Sequence, residues 1–178
     1  METQVKAAIS TQNYRQASQL LKQWQQSDAQ NPLLRFYAAQ LQEKTNRLDA
    51  AEKNYKKLLQ QNAHRKIVSE ARAGIARIHA QQKADKAAAL DKARAISGAE
   101  EKAILAIAAP SDAERTDVIA GFAKIFNLDA YTARMKLPST GFRIYRIGPW
   151  GELSYFQQQL SEANIVAFCR KVTALKAI

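Results

Sequence analysis

One pattern occurs twice between Tyr14 and Leu59, in the segment YRQASQLLKQWQQSDAQNPLLRFYAAQLQEKTNRLDAAEKNYKKLL. Asn13–Ala17 (NYRQA) is echoed by Arg47–Ala51 (RLDAA) at an interval of about 34 residues, a common period of two-helix repeats. The same interval aligns Ala17 with Ala51, Leu21 with Tyr55, Trp24 with Leu58 and Asp28 with Asn62. The segment therefore predicts equivalent helices in two successive helical hairpins.

Within this segment and on both sides of it, apolar residues recur at the i, i+3, i+4 and i+7 spacing of an amphipathic helix. The predicted helices cover residues 3–11, 15–26, 33–44, 48–61 and 66–79, and Pro32 suits the start of the third. One hairpin cannot bury its own apolar stripe, so each hairpin needs a neighbour or a cap. Two repeats and a capping helix are close to the minimum for a stable array.

Residues 80–97 carry no recognisable second helix of a third repeat. They are rich in Ala, Lys and Gln, which predicts a helix that caps the repeats or bridges to the next domain and ends at Ser97-Gly98. Low-complexity disorder is the alternative. The predicted organisation is helical repeats in 1–80, a capping or linker helix in 81–98 and a small α/β module in 99–178.

The repeated pattern resembles the tetratricopeptide-repeat family, whose members hold other proteins. That resemblance implies a groove lined by the first helix of each pair, at Glu2, Lys6, Ile9, Ser10, Leu33, Phe36, Gln40, Glu43, Lys44, Ile67, Glu70, Gly74, Arg77 and Ile78. The residues expected to bind a partner are Leu33, Phe36, Gln40, Lys44, Ile67, Glu70 and Arg77.

In that groove, apolar side chains of the partner would lie on Leu33, Phe36 and Ile67. Lys44 and Arg77 would bind its acidic groups. The alternative is that so short an array forms little groove and that these residues pack on the capping helix.

The pattern changes after Gly98. Strands are predicted at 102–109, 142–147 and 165–172. Helices are predicted from a Ser111 capping box through Ile125, from Asp129 through Met135, and over 150–163. The order β-α-α-β-α-β predicts a three-stranded sheet with helices on one face, and the whole chain an α+β fold.

Two further resemblances concern this half. Its order of elements loosely resembles the C-terminal domain of the ribosomal stalk protein, a likeness of topology that implies no function. Most of the chain is also similar to cyanobacterial tetratricopeptide-repeat proteins of unassigned role. That similarity lies in FNLDAYTAR (126–134), LPS (137–139), YRIG (145–148) and GEL (151–153).

The chain is strongly basic, with a formal net charge of +11 and a pI near 9.9. Such a charge favours anionic partners without naming one. An RNA- or ribosome-associated role is the alternative function, with Arg143, Tyr145 and Arg146 expected beside Phe168 and Arg170 on the open sheet face. The candidate anion-binding residues are Lys53, Lys56, Lys57, Arg65, Lys66, Arg143 and Arg146. A solvated basic face is the simpler interpretation of the same residues.

Catalytic motifs are missing from the sequence: it has no Gly-rich phosphate loop, H-E-x-x-H or nucleophile elbow. The two histidines have no partners at metal-ligand spacing, and the single Cys169 is expected to be buried and inert. With no apparent leader or membrane-spanning run, we expect a cytoplasmic, non-enzymatic adaptor without cofactor or metal. Its protein partner is not identified by the sequence, and self-association through the sheet of 99–178 is a further hypothesis.

Overall fold

The computed structural model of the protein describes residues 1–61 and 64–175. The chain divides into two units, Met1–Ala84 and Asp85–Ile178. The helices of the first unit are, in chain order, α1 (Glu2–Ser10), α2 (Tyr14–Ser27), α3 (Pro32–Lys44), α4 (Leu48–Gln60) and α5 (Arg65–Arg94), of which α5 continues into the second unit.

Polar residues in the turns begin these helices. The Asn13 side chain accepts a hydrogen bond from the Gln16 amide, and Asn31 accepts one from the amide of Leu33. The first residues of α2 and α4 are 34 positions apart, as the repeated sequence predicts. The predicted N-terminal helical hairpins are thereby confirmed.

Small residues allow the helices of the first unit to approach closely. The fully buried alanines at these contacts are Ala17, Ala39, Ala51 and Ala71. Gly74 on α5 lies against the ring of Tyr55 on α4, and a Cβ at position 74 would be 2.5 Å from a ring carbon. The core of this unit is therefore formed by tight helix contacts around a few large side chains.

Helix α5 differs from the two separate helices expected at 66–79 and 80–97. It is continuous over 30 residues, because the segment after Gly74 contains no glycine, proline or polar turn. Disorder, the alternative expected from the composition, is not what the structure shows. In the second unit, Lys86 of this helix donates a hydrogen bond to the Ile125 carbonyl.

The second unit has the predicted order of elements. They are β1 (Lys102–Ala108), α6 (Arg115–Phe126), α7 (Ala130–Lys136), β2 (Phe142–Pro149), α8 (Trp150–Glu162), β3 (Ala167–Lys171) and a short α9 (Val172–Leu175). Asp129 caps α7 as expected, with its side chain accepting from the Thr132 amide. The Ser111 capping box does not form, because the Ser111 hydroxyl donates to the Glu114 carboxylate and α6 begins only at Arg115.

The sheet has the order β2-β1-β3, and both pairs are antiparallel. Alternate residues of the central strand point to opposite faces. One face is buried in the helix-covered core through Ala103, Leu105 and Ile107. The opposite face, which we call the open sheet face, carries Ile104, Ala106 and Ala108 at its centre. The α+β class expected from the sequence is confirmed.

Candidate functional site

A surface pocket of about 280 Å³ lies between α1 and α3 in the first unit. Its lining residues are Lys6, Ile9, Ser10, Gln12, Tyr14, Gln40 and Lys44, and we call it the groove pocket. The members on α1 and α3 all occupy groove positions expected from the repeat. Gln12, from the turn between α1 and α2, and Tyr14, the first residue of α2, are additions that sequence reasoning missed.

The packing of α1 determines which of its side chains line the groove pocket. Val5 and Ala8 are buried in the core, which leaves Lys6 and Ser10 exposed on the same short helix. The Tyr37 hydroxyl on α3 donates to the Glu2 carboxylate at 3.1 Å. Burial and this hydrogen bond raise the pKa of Tyr37 to about 12, so the hydroxyl can still donate to Glu2 near pH 10, where an ordinary tyrosine is half ionised.

The turn after α1 closes one end of the groove pocket. Gln12 has a φ of 59°, in the left-handed region, and the Asn13 amide donates to the Ala8 carbonyl at 2.8 Å. The left-handed residue reverses the chain at the end of α1 and places Tyr14 at the pocket. A polar Gln12-Asn13 pair before a helix is the only sequence signal for this arrangement, and it does not specify the lining.

The groove pocket is positively charged. Lys6 and Lys44 both line it, and no acidic residue does. Within the part of the chain that the structure describes, neither ammonium group is in a salt bridge. The side chains of Ser10 and Gln40 add hydrogen-bonding groups, and Ile9, a core residue that is 9% exposed, adds only a small apolar edge. This combination suits a carboxylate with a short apolar stem.

The volume of the groove pocket limits what it can hold. Sites for small molecules and cofactors usually enclose about 300–1,000 Å³, and 280 Å³ in a surface pocket lies just below that range. One or two side chains of a peptide fit such a space.

Phe36 belongs to the core, which corrects the expectation that a partner lies on its ring. The side chain is only 8% exposed, and its ring centre is 5.3 Å from that of Tyr37 and 6.4 Å from that of Tyr55. Leu33 and Ile67 are half-buried and pack against the same core. The apolar part of the predicted partner surface thus contributes mainly to packing between helices.

Arg77 is bound within its own chain. Its guanidinium donates to both oxygens of Glu43, at 2.7 and 3.1 Å, and the buried Tyr55 hydroxyl donates to the same carboxylate at 2.8 Å. Burial acts to raise the pKa of Glu43, but the hydrogen bonds from Arg77 and Tyr55 outweigh it and hold that pKa below its usual range. Glu70 is exposed on α5. Of the seven predicted partner-binding residues, only Gln40 and Lys44 lie together in the groove pocket.

The predicted anion-binding residues of the first unit are all exposed on α4 and α5: Lys53, Lys56, Lys57, Arg65 and Lys66. Lys56 is 2.6 Å from the Glu52 carboxylate, which also lies 3.0 Å from the His79 ring. Arg143 and Arg146 belong to the second unit. The structure therefore divides the predicted anion-binding residues between two units.

A bulge in β2 leaves two neighbouring residues, Tyr145 and Arg146, on the helix-covered side of the sheet. The register of β2 on β1 shifts between Leu105 and Ala106, and Tyr145 is the residue without a partner across the strand pair. The bulge interrupts the alternation of side chains. The Tyr145 ring packs against Phe122 and Phe126 of α6, at centroid distances of 5.0 and 4.6 Å, on the helix-covered side of the sheet.

The arginines of β2 also contact the helices. Arg143 donates to the Met135 carbonyl of α7 at 3.2 Å, and Arg146 donates to the Glu152 carboxylate of α8 at 3.1 Å. The expectation that Arg143, Tyr145 and Arg146 lie on the open sheet face is therefore wrong. Arg143 and Tyr145 lie on the helix-covered side by simple alternation with Phe142 and Ile144, and the bulge brings Arg146 to the same side.

The remaining candidates from the sequence offer little chemistry. Cys169 is buried, and this burial raises the pKa of its thiol. Groups of three or more His, Cys, Asp or Glu side chains placed to hold a metal are not seen in residues 1–61 and 64–175. Among the described helices, none combines the length and apolar character needed to cross a membrane.

Compared with known proteins, the chain matches no family model, no curated protein and no solved structure. Its resemblance to the tetratricopeptide-repeat family stays a prediction.

Proposed function

We propose that this protein is a non-enzymatic adaptor that binds an acidic segment of a partner protein in the groove pocket between α1 and α3. The observation that carries the proposal is that Lys6 and Lys44 line the same pocket and that no acidic residue lines it. In the described part of the chain, neither lysine is in a salt bridge. An Asp or Glu side chain of the partner would lie between the two ammonium groups. Its neighbouring apolar atoms would contact Ile9.

The charge of the whole chain supports the same kind of partner. A net charge of +11 attracts acidic proteins over a distance and speeds their encounter. The pocket adds the short-range selection that net charge lacks. We also propose a cytoplasmic location, which the single, buried Cys169 supports because one cysteine cannot form an internal disulfide.

The alternative RNA-associated function has less support. Recognition of single strands usually needs aromatic rings free to stack on bases. Of the two rings expected for this role, Tyr145 packs against Phe122 and Phe126, and only Phe168 lies on the open sheet face. Basic residues alone would give binding that is independent of sequence and steeply weakened by salt.

A labelled peptide library sorted by net charge tests the proposal with the purified full chain. We expect acidic peptides to bind and basic peptides of matched length to fail. Lys6→Glu and Lys44→Glu should each weaken binding by about tenfold, which corresponds to about 1.4 kcal/mol. The binding is measured by fluorescence anisotropy.

Lys57→Glu is the matched control, since it makes the same charge change on the exposed surface of α4. It should have little effect. If it weakens binding as much as Lys44→Glu does, the attraction comes from net charge and the groove proposal fails. If a labelled single-stranded RNA binds more tightly than every acidic peptide at physiological salt, the alternative function is favoured.

A further inference from the structure

The open sheet face of the second unit exposes a continuous set of large apolar side chains. Phe142, Ile144 and Ile147 of β2 are 60%, 56% and 55% exposed, and Val166 before β3 is 66% exposed. The Phe168 ring of β3 lies 5.3 Å from the Phe142 ring, which links the two outer strands across the surface. None of these side chains belongs to the core beneath the helices.

The size of this surface indicates a binding role. The four most exposed side chains present roughly 400 Å² of apolar area, which is within the range of the largest apolar patches on ordinary monomers, and such patches are often functional. A stable interface takes about 800 Å² from each partner, so the strip would supply roughly half of that area and the residues around it the rest.

The charged residues of this face lie at one end. Lys102 is two residues before Ile104 on the same face of β1, and Arg170 of β3 is paired directly with Ile104. Both are exposed, and in the described part of the chain neither is in a salt bridge. The surface is thus an apolar strip with two available cations at one end.

We propose that the open sheet face binds an amphipathic helix of a partner protein, with the apolar stripe of that helix on Phe142, Ile144 and Ile147 and its acidic residues beside Lys102 and Arg170. The dimensions agree. Three strands spaced about 4.8 Å apart give a face about 10 Å wide between the outer strands, and a helix is about 10–12 Å across. One helix would cover this face.

The charge distinguishes this occupant from a second copy of the chain. Two copies, each with a net charge of +11, repel one another as they approach. A partner with acidic residues gains from the same charge. The surface lies in a different unit from the groove pocket, so this binding is independent of the adaptor function proposed above.

The test uses the full chain and a labelled synthetic helix with Leu at i, i+3, i+4 and i+7 and Glu on both flanks. A second peptide has Lys in place of every Glu. We expect the Glu peptide to bind and the Lys peptide to bind at least tenfold more weakly. Ile144→Asp should abolish binding of the Glu peptide, because it places a charge in the centre of the apolar strip.

Matched variants separate the surface from general effects. Met135→Asp changes another exposed apolar residue, 62% exposed on α7, and should leave binding unchanged. Arg170→Glu should weaken binding several-fold, whereas Arg134→Glu on α7 should have little effect. Lys44→Glu should also leave binding of the Glu peptide unchanged. A failure of the sheet-face proposal can therefore be told from a failure of the groove proposal. Melting curves followed by circular dichroism show that each variant is folded.

Two results would overturn the proposal. One is equal binding of the Glu peptide to the wild type and to Ile144→Asp. The other is light scattering that shows a dimer of the free chain which becomes a monomer in Ile144→Asp, since the occupant would then be a second copy.

Discussion

Replacing Glu43 by Ala removes the acceptor that Arg77 and Tyr55 share. Arg77 lies 34 residues after Glu43, so this contact joins equivalent positions of successive repeats. Tyr55 of α4, whose side chain is fully buried, donates a hydrogen bond to the same carboxylate. One carboxylate thus connects α3, α4 and α5, and its removal tests how the hairpins of the first unit are held together.

The expected cost has two parts. The Arg77 side chain is 52% exposed, so solvent screens its pair with Glu43 and the loss is at most about 1 kcal/mol. The Tyr55 hydroxyl would lose its partner within the core, at a cost of about 1–3 kcal/mol. We therefore expect Glu43→Ala to lower the free energy of unfolding by about 2–3 kcal/mol. Tyr55→Phe, which leaves no donor without an acceptor, should cost about 1 kcal/mol.

The two tryptophans allow the unfolding of the first unit to be followed separately. They are Trp24 in the first unit and Trp150 in the second. In a Trp150→Phe background, the fluorescence of the buried Trp24 during urea unfolding reports the first unit alone. Circular dichroism in the same samples follows both units.

A double-mutant cycle supplies the decisive comparison. Once Glu43 is Ala, the Tyr55 hydroxyl has no acceptor, so adding Tyr55→Phe should cost nothing or restore stability. If Tyr55→Phe costs the same in both backgrounds, the two side chains are not coupled and the reasoning is refuted.

Three further predictions concern local structure. Gly74→Ala should destabilise the first unit by about 1–3 kcal/mol in urea unfolding, because the new Cβ would overlap the Tyr55 ring. Gly121→Ala is the control: the nearest atom to its new Cβ is 3.4 Å away, so this change should be neutral or stabilising. The pKa of Glu43 in the folded protein is below the ordinary value of 4.5. The Glu43 carboxylate therefore contributes fully to stability above pH 4.5, and this contribution is lost as the pH falls below that value. The stability difference between wild type and Glu43→Gln should therefore shrink between pH 7 and about pH 3. Asp129→Ala removes the N-terminal cap of α7 and should speed amide hydrogen exchange in that helix while α8 stays protected.

The sequence predicted the elements well because each has a local cause. Asn13 and Asn31 cap helices, Pro32 begins one, and Asp129 begins another. The equivalence of α2 and α4 followed from the interval between their apolar residues. Helix α5 was divided in the prediction, since nothing in the apolar pattern marks a helix that continues into another unit.

Side-chain positions that depend on distant contacts could not be predicted in this way. Phe36 occupies a groove position of the repeat, but the rings of Tyr37 and Tyr55 enclose it. Arg146 would share the open face with Ile144 by simple alternation, but the bulge opposite Leu105 turns it toward Glu152 of α8. Each outcome depends on a partner far away in the sequence or on an irregularity that the residue pattern does not reveal.

The candidate site was predicted in part. Gln40 and Lys44 were expected to bind a partner, and both line the groove pocket. Arg77 was expected to bind acidic groups of a partner, but the structure pairs it with Glu43 of the same chain. An ion pair between residues one repeat apart cannot be told from two free charges by sequence alone.

Nuclear magnetic resonance of the isotope-labelled full chain, titrated with the tightest acidic peptide from the charge-sorted library, tests the groove pocket most directly. Binding there predicts that the largest amide shift changes fall at Lys6, Ser10, Gln40 and Lys44, with α4 and the part of α2 beyond its first turn little affected. Changes spread over the exposed lysines of α4, or confined to the second unit, would contradict it.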